Sequence, residues 1–225
     1  KVTRPGQVKI ADLDGNGFID PGNFAVDDHG DLRIIGNQSP RYRYGVNLSA
    51  RWNGIGLSVF LQGVGARDWY PGSDAGMFWG KYGRPFFALI PSIHNYTDDM
   101  YSAERNNWDT AYWPRMTTYQ SNGTKNWTRL LEIPNTRYIQ SAAYLRVKNI
   151  QLDYSFPKHI CSAIRLQGLK IYVNAENLFT FTPLHKYAPN FDPEGLSYDS
   201  DFASAADGYT YPILKSVTVG VNITF

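Results

Sequence analysis

The residues best suited to bind a metal ion form the run Asp12-Leu-Asp-Gly-Asn-Gly-Phe-Ile-Asp20. Calcium takes about six to eight oxygen ligands, and an EF-hand-type loop supplies them from alternate positions, with a glycine at the turn. The residues at those positions are Asp12, Asp14, Asn16, Phe18 (through its carbonyl) and Asp20. Asn23 stands where a bidentate glutamate closes such a loop, so Asp27, Asp28 or Asp31 would have to complete the site. The alternative is a turn held by its own side-chain-to-backbone hydrogen bonds. We therefore weigh a structural calcium ion against such a turn, and expect no organic cofactor.

A second group of candidate binding residues lies in the long segment 65–143, where Trp and Tyr stand among Asp and Arg. Aromatic rings stack on the apolar faces of sugars, while carboxylates and Arg bond the hydroxyls. The candidate substrate contacts are Trp69, Asp74, Trp79, Arg105, Trp108 and Trp113. The alternative is that these aromatics pack within the segment or contact a partner protein, since interfaces are also enriched in Tyr, Trp and Arg.

The titratable residues give no sign of an enzyme. Glycosidases need two carboxylates at a fixed separation, whereas Asp98-Asp99 and the pair Asp199 and Asp201 are close neighbours in polar segments. The 4 histidines show neither zinc-protease nor triad spacing. The net charge of +2 is small and is not concentrated in a basic cluster, which argues against nucleic acid as a partner.

The elements that must position these residues are strands, because five segments alternate apolar and polar side chains. They are a hairpin over 41–64 turning at Asn53-Gly54, then 144–156, 170–181 and 217–225. Asn-Gly is the favoured two-residue hairpin turn. The alternation changes phase near Lys148, which predicts a β-bulge there.

Short and long connections alternate along the chain, as they do between the periplasmic turns and extracellular loops of transmembrane β-barrels. We predict an extracellular loop (1–40), a barrel hairpin (41–64), an extracellular loop (65–143), a strand pair joined by a short periplasmic turn (144–181), an extracellular loop (182–211) and a closing strand (212–225). The smallest such barrels have about 8 strands. The predicted strands would therefore be part of a larger barrel. The alternative fold is a soluble β-sandwich.

The segment Tyr144-Leu-Arg-Val-Lys-Asn-Ile-Gln-Leu-Asp-Tyr-Ser-Phe-Pro157 resembles SusC/RagA-like TonB-dependent outer-membrane transporters of Bacteroidetes. Other matching strings occur in the same order: Ala11 to Asp20, Gly36-Asn-Gln-Ser-Pro40, Val59-Phe-Leu-Gln-Gly63, Tyr112-Trp-Pro-Arg115, Glu176-Asn-Leu-Phe-Thr-Phe181 and Asp192-Pro-Glu194. The resemblance covers nearly the whole chain.

This resemblance implies an all-β fold: the carboxyl-terminal five antiparallel strands of a transmembrane barrel of roughly 22 strands. It also implies a bacterial outer-membrane location among lipid, opening by the TonB complex through an amino-terminal part, and a SusD-like surface lipoprotein as partner. The cargo would be an oligosaccharide or a peptide. Two rival functions remain at this point, a soluble calcium-dependent glycan-binding module and a secreted glycoside hydrolase.

Overall fold

The computed structural model describes residues 5–6, 8–71, 101–113, 134–189, 191–196 and 213–225. The chain divides into two compact units. The sheet unit comprises Ser39–Arg67, Ser141–Pro183 and Tyr211–Phe225, and the loop unit comprises Lys1–Gln38, Asp68–Gln140 and Leu184–Thr210. Of the predicted substrate contacts, Asp74 and Trp79 fall outside the described residues.

The strands are β1 (Arg41–Trp52), β2 (Ile55–Ala66), β3 (Asp68–Trp69), β4 (Gln140–Ser141), β5 (Tyr144–Ser155), β6 (Gly168–Phe181) and β7 (Ser216–Thr224). Five of them form one antiparallel sheet in the order β1-β2-β5-β6-β7, while β3 and β4 pair separately. The predicted all-β class with five antiparallel strands is confirmed. A short helix α1 (Lys158–Ala163) connects β5 to β6, and a 3-10 helix (Pro183–Lys186) follows β6.

The two faces of this sheet differ sharply in polarity. Directly opposed residues of an antiparallel pair share a face, and the registers place Leu48, Val59, Ile150, Val173 and Val219 on the same side of the sheet. We call this side the apolar face. Its side chains are largely exposed, as Leu48 at 55% and Val219 at 73% illustrate. The opposite side, the polar face, carries mainly Asn, Gln, Ser, Thr and charged residues.

A β-bulge interrupts the sheet at the predicted place. Register shifts occur between Phe60 and Leu61 on β2 and between Val147 and Asn149 on β5, so Lys148 is the extra residue. The bulge predicted from the change of phase is confirmed. A second irregularity, not predicted, lies on β6, where Asn177 has a positive φ of 51°. It keeps the apolar residues of β6 on the same side as those of β5 despite the extra residue there.

Tight turns and close packing set the register of the hairpins. Asn53 and Gly54 have φ of 46° and 85°, the left-handed values that a two-residue turn requires. On the apolar face the Tyr44 ring covers Gly63, and on the polar face the Tyr172 ring covers Gly220, so a Cβ at either glycine would overlap that ring. Aromatic coverage of a strand glycine restores packing that the missing side chain would lose.

No helix among the described residues has the length and hydropathy needed to cross a membrane.

Candidate functional site

The aspartate-rich run near the start of the chain folds into a loop held by its own side chains. Asp12 accepts hydrogen bonds from the backbone N–H groups of Gly15 (2.7 Å) and Gly17 (2.8 Å). Asp14 accepts one from the N–H of Asn16 (3.0 Å), and Asn16 in turn accepts one from the N–H of Phe18 (2.7 Å). Side chains of Asp and Asn commonly stabilise turns in this way. The predicted turn is therefore present.

Asp31 joins this loop from farther along the chain. Its carboxylate is 7% exposed and accepts the N–H groups of Leu13 (2.5 Å) and Asp20 (2.9 Å). One carboxylate oxygen from each of Asp12, Asp14 and Asp31 lies within 4.8 Å of the others. Among the three carboxylates that could have completed the loop, the structure thus brings in Asp31. We call these three residues the carboxylate triad.

Of the five predicted loop ligands, Asp12 and Asp14 belong to the triad, and the other three do not. The Asn16 side-chain oxygen stays a predicted ligand. The Asp20 carboxylate is not part of the group and instead accepts the N–H of Gly22 (2.9 Å), and its role as a ligand stays a prediction. The chain turns at Gly22 and Gly30, where backbone packing leaves no room for a Cβ and brings Asp20 against its own turn. The Phe18 side chain is 73% exposed, and its carbonyl stays a predicted ligand.

Backbone N–H groups set the charge state of Asp12. The hydrogen bond from the N–H of Gly17, with that from Gly15, lowers the pKa of the Asp12 carboxyl below its usual value, although desolvation acts in the opposite sense. Asp12 is consequently anionic at neutral pH. Converging carboxylates repel one another when charged, and a divalent cation would offset that repulsion.

The aromatic residues of the loop unit form a packed core. Tyr112 stacks on Tyr187 with ring centroids 3.6 Å apart and contacts Tyr138 edge to face at 5.4 Å. Trp69 packs against Phe191 at 5.0 Å. Such aromatic pairs stabilise a core beyond the area that they bury. This core joins segments from both long connections, 65–143 and 182–211.

Two of the predicted substrate contacts belong to this core. Trp69 is 2% exposed and Trp113 is 1% exposed, so neither offers a ring face to a ligand. Their assignment as substrate contacts is corrected in favour of packing, the alternative that composition had left open. Trp108, which is 65% exposed, and Arg105, which is also exposed, stay candidates.

Buried hydroxyls and amides tie this core together. The Gln140 amide donates to the Tyr112 hydroxyl (2.6 Å), and the Asn135 amide donates to the Tyr70 hydroxyl (2.8 Å). Burial raises the pKa of Tyr138 to about 12 and also raises the pKa of Tyr70 and Tyr112. These phenols are therefore neutral at any physiological pH and serve as fixed polar links, not as acids or bases.

A groove of about 950 Å³ opens in the loop unit beside the aromatic core. Its walls come from four stretches of the chain, which are 5–13, 31–35, 101–113 and 134–138. Trp108 lines it, and so do the exposed Lys9 and Arg33. Sequence reasoning missed both cations because nothing in their local sequence distinguishes them from other exposed basic residues. Only the folding of separate segments brings them to one groove.

The polar face of the sheet carries an ionic cluster. Asp153, which is 6% exposed, contacts the Arg51 guanidinium at 3.2 Å and the Lys170 ammonium at 3.3 Å. Gly56 lies opposite Asp153, and a Cβ there would come within 2.7 Å of the carboxylate. The cluster thus links β1, β5 and β6 across β2.

Comparison with known proteins reveals relatives over almost the entire chain. Three proteins of Formosa agariphila match: TonB-dependent receptor P3 (27% identity, 98% of this chain), P39 (24%, 100%) and P26 (22%, 98%). The chain spans about a fifth of the length of these curated relatives, namely 19%, 19% and 20%. No protein-family model matches.

Solved structures with the same fold include the RagAB peptide transporter (TM-score 0.56, 20% identity, 93% of this chain and 20% of that chain). The RagAB peptide importer matches in its "closed-closed" state (0.55, 21%, 98% and 20%) and its "open-open" state (0.52, 18%, 86% and 18%). These structural matches show the fold. Together with the sequence relatives they confirm the predicted resemblance to SusC/RagA-like TonB-dependent transporters.

Proposed function

We propose that this chain forms part of a TonB-dependent transporter that imports large nutrients across a bacterial outer membrane. The observation that carries the proposal is the continuous apolar face of the sheet, exposed on all five strands, in a chain similar to TonB-dependent receptors. Water-exposed Val, Leu, Ile and Phe in such numbers are unfavourable for a soluble protein. Hydrocarbon lipid would cover them at no such cost.

The polar face would line the interior of the barrel. Its Asn, Gln, Ser and Thr side chains and the cluster around Asp153 suit a water-filled or plugged lumen, where polar groups find partners. The outer edges of β1 and β7 have no further partner strand within the five-stranded sheet of the described residues. Backbone groups at such an edge need hydrogen-bond partners in a bilayer. The rest of the full-length protein would supply the neighbouring strands.

The connections indicate an orientation for this sheet. The turn at Asn53-Gly54 and the α1 link would face the periplasm, because short turns lie on that side of outer-membrane barrels. The segments 1–40, 65–143 and 182–211, which include the loop unit's groove and the carboxylate triad, would then face outward. Arg105 and Trp108, with Asp74 and Trp79, are the proposed contacts for cargo.

The partners are proposed from the same resemblance. RagAB is described as a peptide importer, and SusC-like transporters also carry oligosaccharides, so the cargo class is a peptide or an oligosaccharide. A SusD-like surface lipoprotein would cover the outer opening, and the TonB complex would drive transport through the remainder of the protein. The relatives are named as receptors and transporters, and we propose no catalytic role.

Uptake by cells tests this function. The full-length protein is expressed in its native host, and uptake of labelled peptides and oligosaccharides is compared with a strain lacking the gene and with one lacking TonB. We expect the protein in the outer-membrane fraction and uptake that is lost in both mutant strains. A protein that stays in the aqueous fraction would contradict the proposal and favour the soluble glycan-binding module. Cargo cleavage by the purified protein would favour the glycoside hydrolase.

We also propose that the carboxylate triad binds a structural calcium ion. The support is that oxygens of Asp12, Asp14 and Asp31 converge within 4.8 Å and that Asp12 is anionic. Carboxylate oxygens are the ligands that calcium prefers. The ion would link the start of the loop to residue 31 and so fix its shape, without taking part in any reaction.

Hydrogen exchange of the full-length protein, with calcium and with a chelator, tests this second proposal. Calcium should slow amide exchange across 12–20 in the native protein and should not change the exchange of the same amides in Asp14→Asn. Asp27→Asn is the matched control, since Asp27 is exposed and outside the triad. Equal exchange with and without calcium in the native protein would leave only the hydrogen-bonded turn.

A further inference from the structure

The floor of the groove in the loop unit is closely packed and hydrogen-bonded. Tyr138 and Trp113 are 0% and 1% exposed at its base. The Arg137 guanidinium donates to the carbonyls of Ala111 and Tyr112, and the Tyr138 hydroxyl donates to the Tyr112 carbonyl at 3.1 Å. Ligand sites are usually concave, largely preformed and lined by aromatic and a few polar groups.

Two exposed cations line this groove. Lys9 and Arg33 line it, are exposed and form no ion pair with any of the described residues. Among the described residues that line the groove, Asp31 carries the one carboxylate, and its oxygens accept the N–H groups of Leu13 and Asp20. Asp31 is buried at 7% exposure. Among the described residues that line the groove, a ligand would therefore meet Lys9 and Arg33 as cations without an ionic partner, whereas both oxygens of Asp31 already accept hydrogen bonds.

Trp108 adds an apolar surface to these cations. Its side chain is 65% exposed although it lines the groove. An exposed Trp can stack on the apolar face of a sugar ring, and Asn106 and Thr136, which also line the groove, can bond hydroxyl groups.

The secondary structure of the groove walls argues against one common mode of peptide binding. Extended peptides commonly bind by adding a strand to an exposed sheet edge. Apart from an isolated β-bridge at Trp113, the described residues of 8–13, 31–35, 101–113 and 134–138 contain no strand that a bound peptide could extend.

Resting on the proposed transport function, we propose that this groove binds an anionic oligosaccharide, with sugar carboxylate or sulfate groups held by Lys9 and Arg33 and a sugar ring stacked on Trp108.

Calorimetric titration of the purified full-length transporter in detergent tests this proposal. The probes are a short oligogalacturonate, the same oligosaccharide with its carboxyls methyl-esterified, a sulfated galactan oligosaccharide, and a glutamate peptide of equal charge. The variants are Trp108→Ala and the double variant Lys9→Ala with Arg33→Ala. Lys158→Ala with Lys215→Ala is the control, because it removes two exposed cations from the sheet unit.

We expect at least one of the two anionic oligosaccharides to bind, the ester to bind at least roughly tenfold more weakly, and salt to weaken binding. The double cation variant should bind roughly tenfold or more weakly and lose most of the salt dependence, since both ion pairs with the ligand are removed. Trp108→Ala should weaken binding by a similar factor, and the control variant should bind with the affinity of the native protein.

Several results would overturn the groove assignment. Equal binding of the ester, native affinity in the double variant, or a stronger response to the glutamate peptide would each do so. Binding by neither anionic oligosaccharide would also do so. Because TonB-dependent uptake is measured separately in cells, intact uptake with these results would refute the groove's ligand class and leave the transport function standing.

Discussion

Asp31 should control the folding of the aspartate-rich loop although it lies 11 residues beyond Asp20 and 18 beyond Leu13. Its carboxylate accepts both of their N–H groups, at 2.9 Å and 2.5 Å. The substitution Asp31→Ala removes both bonds. Because Asp31 is 7% exposed, water replaces the lost carboxylate only in part. The prediction is therefore a local loosening of the loop, without unfolding of the sheet unit.

The magnitude follows from the two bonds. A hydrogen bond to a charged group contributes about 1.5–3 kcal/mol, and each 1.4 kcal/mol corresponds to roughly a tenfold change in an equilibrium constant. The amides of Leu13 and Asp20 should each exchange with solvent roughly 10 to 150 times faster in Asp31→Ala. Asp31→Asn keeps one acceptor oxygen, so its exchange rates should lie between those of Asp31→Ala and those of the native protein.

Hydrogen–deuterium exchange with mass spectrometry measures this effect in peptides that cover 10–21, in the presence of a chelator so that no metal contributes. Asp27→Ala is the control, since Asp27 is exposed and lies in the same segment. Faster exchange in Asp27→Ala as well as in Asp31→Ala would show a general loss of structure. Native exchange in Asp31→Ala would refute the assignment of Asp31 as the residue that holds the loop.

Three further predictions concern packing, pH and charge. Gly220→Ala should lower the stability of the extracted protein by about 1–3 kcal/mol because the new Cβ overlaps the Tyr172 ring. Thermal unfolding measures this, and the prediction fails if Gly220→Ala destabilises the protein just as much in a Tyr172→Ala background. Without calcium, the Asp12 carboxylate should protect the amides of its loop from exchange fully above the unfolded pKa of about 3.9, and this protection should be lost as pH falls through the lowered folded pKa. Amide exchange measured against pH tests this, and Asp12→Asn should remove the transition. Asp153→Asn should lower the stability of the protein by only about 1 kcal/mol, because the Arg51 and Lys170 side chains that pair with Asp153 are 58% and 30% exposed and solvent screens them. An unchanged thermal midpoint would show that the cluster contributes nothing to stability.

The strands could be predicted from the sequence because their signal is local. Alternation along 217–225 predicts a strand, and β7 is Ser216–Thr224. The change of phase at Lys148 marks the bulge because one residue without a partner reverses the alternation. The irregularity at Asn177 lacks such a signal, since Glu176 and Asn177 are both polar and the phase there is ambiguous.

The loop unit could be predicted only in part, because its contacts join residues far apart in the sequence. The Asp12 loop has a local pattern, but the choice of Asp31 over Asp27 and Asp28 depends on how the chain returns after Gly22 and Gly30. For the tryptophans, Trp69 and Trp113 are buried and Trp108 is exposed. All three stand in similar polar, aromatic surroundings, so only the packing against the 182–211 segment separates them.

The central claim is that the sheet spans the outer membrane with its apolar face toward lipid, and alternate spin labelling of β7 tests it most directly. Single cysteines replace Val217, Thr218, Val219, Val221 and Asn222 in the full-length protein, in a background where Cys161 is changed to Ala, and collision with oxygen and with a water-soluble nickel complex is measured in native outer membranes. Gly220 is left unchanged, because a side chain there would overlap the Tyr172 ring. Labels at Val217, Val219 and Val221 should be accessible to oxygen, and those at Thr218 and Asn222 should not. Uniform access of the nickel complex to all five positions would contradict the account.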